Sequence, residues 1–159
     1  MKTKLVIREL HRSERKLAHR LNVTAARHVS DQDIYHLAQD LAKWSQQHLT
    51  ELAKHGRHYG LHLSSNPRTA AVTGFIQTRM SAALRKRPEP GLLVLADLRR
   101  VYRLAACTSV DWELLGQAAQ TVKDQELLSL TSRCHPDTLR QMRWANAMLK
   151  ELSPQVLSN

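Results

Sequence analysis

Apolar side chains recur at alternating steps of three and four through most of this chain, a period that only an α-helix converts into one continuous buried stripe. From about Val6 to His28 the stripe reads Ile7, Leu10, Glu14, Leu17, Leu21 and Thr24. A second run places Ile34, Leu37, Leu41, Trp44, His48, Leu52 and His55 on one face. Leu95, Leu98, Tyr102 and Ala105 mark a shorter stretch, followed by Trp112, Leu115, Ala119, Val122, Glu126 and Ser129. Leu139, Met142, Ala145, Met148 or Leu149, and Leu152 complete the series. Each stripe needs a partner, and four long amphipathic segments satisfy one another in a bundle.

Punctuation divides these runs into helices at about 6–28, 31–59, 92–107, 110–132 and 136–152. Ser30 suits an N-cap, with Asp31 and Asp33 favourable in the following first turn. Gly56 and Gly60 end the second helix, and LHLSSNPR reads as loop. Ser109 is placed to cap the fourth run. His135 and Pro136 mark a restart, and Pro154 a stop. Residues 61–90 are expected to cross from one end of the bundle to the other, with a short helix at 69–84 and a breaker at RKRPEPG. The short joint between the first two helices predicts an antiparallel hairpin. The expected architecture is an all-α four-helix bundle, a single domain over residues 1–159, with an extra short helix in or after the crossover.

Composition fits that architecture. The 159 residues contain one Phe, three Tyr and three Trp, with five Gly and five Pro, too few aromatics and turn formers for a β-sandwich. Two cysteines, Cys107 and Cys134, form no metal-binding or disulfide spacing, so a reducing cytoplasm is the expected setting. No apolar run approaches the length of a membrane span or a signal peptide.

The formal net charge of +10 is concentrated in two blocks, +6 over residues 1–30 and +5 over 79–109, while 31–78 sum to zero and 110–159 to −1. Such blocks attract a nucleic-acid backbone or an acidic protein, although solvated helix faces explain them as well. The candidate contacts are Arg8, Arg12, Arg15, Arg20, Arg85, Lys86, Arg87, Arg99, Arg100 and Arg103. No aromatics are interleaved as single-strand binding would require.

Two carboxylates interrupt otherwise apolar stripes, Glu14 in the first and Glu126 in the fourth, and His48 does so in the second. A buried ion is costly unless paired. The readings open at this point are a polar layer in which these groups meet one another or the Trp44 indole, partial exposure, or a metal site of Glu14, His48, Glu51 and Glu126. Separately, His48, Glu51, His55 and His58 follow at three- and four-residue steps, a spacing that can hold zinc or nickel. Helix capping explains the same histidines, because imidazolium is favoured at a helix C-terminus.

The segments LHRSERKLAHRL, LTELAKHGRHYG and LLGQAAQTVKDQELLSL, with the helix order and the crossover, resemble the ferritin-like superfamily, in particular its small bacterial stress-associated members. That resemblance implies two helical hairpins with an extra short helix, and a di-iron site to which Glu14 would contribute from the first helix and Glu126 from the third. It also marks departures. Trp44 stands where the second helix would carry an acid, Lys123 occupies another acidic position, and TLRQMRWANA replaces the acidic run of the last helix.

No nucleophile motif and no glycine-rich phosphate loop is present. The function expected from the residues is therefore non-catalytic: a basic bundle, homodimeric or in a complex, that binds an acidic partner or nucleic-acid backbone without a cofactor. The alternative is a ferritin-like metal-binding protein or di-iron oxidoreductase, with iron or zinc bound.

Overall fold

The computed structural model describes residues 2–66 and 89–158. Helix α1 (Lys2–Arg27) buries Ile7, Leu10, Glu14, Leu17 and Leu21, the stripe that the spacing predicts. After a four-residue joint, α2 (Gln32–Gly56) starts on Asp31, whose side chain accepts the Ile34 N–H at 3.2 Å. The cap is thus Asp31 rather than Ser30, because the Asp31 carboxylate reaches a free N–H of the first turn. A 3-10 turn at Arg57–Tyr59 follows directly and supplies the extra short helix. Gly60 closes it at φ 67, the left-handed conformation that glycine adopts without penalty. Leu61 N–H then bonds back to Gly56 O at 2.9 Å, and the Leu61 side chain enters the core.

The second half of the chain differs from the expected segmentation. One helix, α3 (Pro90–Thr121), takes in the run at 92–107 and the first half of the run at 110–132, which a cap at Ser109 was expected to separate. Ser109 instead lies against His135 at 2.8 Å and joins two helices. The real break falls at Val122–Asp124. Asp124 N–H bonds Ala119 O at 2.9 Å and Lys123 N–H bonds Gln120 O at 3.1 Å, with Lys123 at φ 58. This is a Schellman-type helix end with lysine in the position usually taken by glycine, so it carries no glycine or proline signal.

Asp124 then caps α4 (Gln125–Leu157), accepting Leu127 N–H at 2.9 Å. Helix α4 passes through Pro136 and Pro154 without the predicted restart at 136 or stop near 152. An interior proline costs about 3 kcal/mol. Leu127, Leu130, Cys134, Thr138, Gln141 and Ala145 nevertheless form one buried stripe across Pro136, and that packing outweighs the local penalty. The short helix expected at 69–84 lies outside the described residues.

Two apolar clusters fill the bundle. Ile7, Leu10, Leu52, Leu61, Trp112, Leu115, Ala119, Leu127 and Leu130 meet at one end. Leu17, Leu21, Ala25, Ala38, Leu41, Val101, Ala105 and Ala145 meet toward the other. These memberships make α1 antiparallel to α2 and α3, and α3 antiparallel to α4. Helices α1 and α2, α1 and α3, and α3 and α4 pack along extensive seams, whereas α2 and α4 meet sparsely. The parallel course of α2 and α3 is the arrangement that a crossover connection produces. Among the described residues no helix is long and apolar enough to cross a membrane.

Candidate functional site

Between the two apolar clusters lies a layer of polar side chains contributed by all four helices. Glu14 of α1 is fully buried, and its Oε1 accepts from His48 Nδ1 at 2.8 Å, from Trp112 Nε1 at 2.8 Å and from Thr138 Oγ1 at 3.4 Å. His48 of α2 donates its other nitrogen to Asp137 Oδ2 at 3.2 Å, and Asp137 Oδ1 in turn accepts from Arg140 at 2.9 Å. Carboxylates are acceptors only, so a ring bonded to one at each nitrogen is an imidazolium. Burial by itself would lower the His48 pKa, but hydrogen bonds to Cys134 and Glu14 and the negative charge of Glu14 push it up to about 10.

These residues do not fit a di-iron pair. Two iron ions need several bridging and terminal carboxylates, and Glu14 is the one fully buried glutamate among the described residues. His48 has no free nitrogen lone pair, and the Trp112 indole fills the space beside the carboxylate at a ring separation of 5.6 Å from His48. Trp44, placed by the spacing in the seam, is half-buried against the second apolar cluster. The indole that satisfies Glu14 comes from α3.

The structure distributes the other candidate metal residues. Glu51 is half-buried and 3.9 Å from Arg133. Glu126 does not reach the central layer, because the turn at Val122–Asp124 resets the helical phase and leaves it exposed in the first turn of α4. There it meets two histidines. His55, buried in the last turn of α2, His58, exposed in the 3-10 turn, and Glu126 each offer a ligand atom, and these atoms all lie within 4.8 Å of one another. The two imidazole rings stand edge to face at 6.1 Å.

Local structure explains this convergence. The 3-10 turn continues the helical path of α2 just far enough to keep His58 beside His55. Tyr59 donates its hydroxyl to Asp124 Oδ2 at 2.5 Å, fixing that turn to the start of α4 two residues before Glu126. Burial and the bond to Asp124 push the Tyr59 phenol up to about 12, while the same bond holds Asp124 below the usual carboxylate range. Tyr59 therefore stays a protonated donor. His55 and His58 were visible as a His-x-x-His spacing; Glu126 has no sequence signal as their partner.

The basic candidates also divide. Arg85, Lys86 and Arg87 lie outside the described residues. Arg12 pairs with Glu9 at 2.7 Å on the surface of α1. Arg8 and Arg15 are half-buried, and Arg99 and Arg103 are exposed on α3. Arg20 and Arg100 turn toward the buried carboxylate of Asp97, at 3.9 and 4.0 Å, a residue that the charge pattern did not single out.

No family model matches this sequence, and neither a curated protein nor a solved structure matches it.

Proposed function

We propose that this protein is a metal-binding four-helix bundle that holds one divalent transition-metal ion through His55, His58 and Glu126. The observation that carries the reading is the approach of those three ligand atoms to within 4.8 Å of one another, with Glu126 at the start of α4 brought by tertiary structure to the two histidines at the end of α2 and in the 3-10 turn. A tetrahedral zinc site with bonds of about 2.0–2.2 Å brings its donors closer than that, a change within reach of side-chain rotation at two exposed residues.

Two imidazoles and one carboxylate suit zinc, nickel or iron(II), and disfavour magnesium and calcium, which take oxygen ligands. Three protein ligands leave coordination positions for water or a small anion. Asp124, held by Tyr59, fixes the start of α4 two residues before Glu126. This reading places metal binding at the end of the bundle, away from the position that a ferritin-like centre would occupy.

The test is calorimetric titration of chelator-treated protein with zinc, nickel, iron(II) and magnesium. One transition-metal ion per chain is expected, with little response to magnesium, and a loss of affinity of about tenfold or more in His58→Ala and Glu126→Gln. Both residues are exposed, so the variants keep the core intact. Absence of saturable binding, or binding unchanged in the double variant, sinks the reading.

A further inference from the structure

At the other end of the α1–α3 seam, cations outnumber the acid that gathers them. Asp97, in the second turn of α3, is fully buried. Arg27 Nη1 donates to its Oδ1 at 3.0 Å and His28 Nε2 to its Oδ2 at 3.0 Å. Arg20 and Arg100 approach the same Oδ1 at 3.9 and 4.0 Å, within Coulomb range but beyond hydrogen-bond distance. Among the described residues no other carboxylate comes within ion-pair distance of Arg20, Arg27 or Arg100.

Three guanidiniums contribute +3 against −1 from Asp97. The C-terminus of α1 adds roughly −0.5, which leaves about +1.5 before His28 is counted. Arg20 and Arg27 are not free solvated arms, since their side chains are only 23 and 24% exposed. Arg20 donates no hydrogen bond among the described residues, and a guanidinium has five donors. Burial and the neighbouring guanidiniums of Arg100 and Arg27 push the Arg20 pKa down against the opposing pull of Asp97. Burial would raise the Asp97 carboxyl, yet the His28 bond and the charges of Arg27, His28 and Arg20 hold it below the usual range. The fold thus keeps an ionised aspartate whose geometry positions more positive charge than it neutralises.

We propose that Arg20 and Arg100, organised by the buried carboxylate of Asp97, form a binding site for a phosphate-class dianion. Arg20 and Arg100 supply the donors that Asp97 leaves unused, and planar guanidiniums match phosphate oxygens in charge and in fork geometry. Arg27 and His28 hold Asp97 in place and are positioning residues. A dianion matches the residual charge; a carboxylate would leave part of it unmet. The site lies apart from the proposed metal residues and does not depend on them.

The experiment titrates chelator-treated full chain with inorganic phosphate, with glycerol phosphate as a monoester, and with sodium chloride at matched ionic strength, following heat and melting temperature. Saturable 1:1 binding of phosphate is expected, weakened about tenfold or more in Arg100→Gln and in Arg20→Gln. Arg100 is largely exposed, so its variant tests the site without risk to folding. Preference for the monoester over inorganic phosphate would identify an organic phosphate as the source; the reverse would identify the free ion. A response no larger than that to chloride overturns the proposal, as does phosphate binding unchanged by both substitutions. Binding of duplex DNA that phosphate does not compete with, and that the same substitutions abolish, would replace it with backbone recognition.

Discussion

His48 donates to Glu14 across the α1–α2 seam at 2.8 Å, with both side chains almost completely removed from water. The pair lies in the polar layer between the two apolar clusters. The same Glu14 oxygen also receives the Trp112 indole and the Thr138 hydroxyl, so a single carboxylate ties four helices together.

Replacing Glu14 by alanine leaves a buried imidazolium and an indole N–H without their acceptor. Removing one partner of a buried ion pair costs about 3–5 kcal/mol. Chemical denaturation should therefore show a large loss for Glu14→Ala and a smaller one for Glu14→Gln, which keeps an oxygen acceptor. Equal stability of all three proteins would contradict the assigned network.

The raised pKa of His48 makes the bundle sensitive to alkali. An unfolded histidine titrates near 6.5 and the folded one at about 10, so the folded state binds the proton more tightly. The stabilisation is complete below pH 6.5, declines as the unfolded state loses its proton, and is gone above about 10. Unfolding free energy measured from pH 6 to 10 should fall in the wild type. In His48→Gln that slope should flatten.

Metal binding at His55, His58 and Glu126 would join the end of α2 to the start of α4, across a sparsely packed seam. A ligand that binds only the folded state stabilises it by about 2.7 kcal/mol at a hundred times its dissociation constant. Zinc should accordingly raise the melting temperature of the wild type. The His58→Ala protein should show no such rise, and acidification should weaken the effect because imidazole and carboxylate ligands must be deprotonated.

Lys123 adopts φ 58 at the end of α3. A left-handed conformation costs a non-glycine residue about 1–2 kcal/mol, and Lys123 is exposed. Lys123→Gly should stabilise the protein by about 1 kcal/mol after allowance for the greater freedom of glycine in the unfolded chain. Urea denaturation provides the check: an unchanged or lower midpoint would mean that the Lys123 side chain contributes more than its backbone costs.

Glu14 and His48 were legible as inward residues because each interrupts an apolar stripe, and the buried pair they form is the direct outcome. Trp112 was legible as a core residue but not as the donor to Glu14. Trp44 and Trp112 both lie on helical stripes, and only the packing of α1 against α3 selects the second. Glu126 appears in the phase of α3 when the sequence is read without a break. The turn at Val122–Asp124 removes it from that stripe and brings it to His55 and His58. A capping aspartate preceding a second acid was the local signal of that turn; the backbone conformation of Lys123 left none.

The sequence alone determined that this chain forms amphipathic helices, that four of them are long enough to enclose one another, and that polar groups enter their seams. These follow from a period of 3.6 residues and from the cost of exposing apolar surface, both of which act locally. Tertiary structure alone decided which polar groups meet. Asp97 with Arg20 and Arg27, Glu14 with His48 and Trp112, and Glu126 with His55 and His58 all join distant segments. Such pairings depend on the helical phase after each turn and on the relative heights of packed helices, quantities that no spacing within a single helix contains.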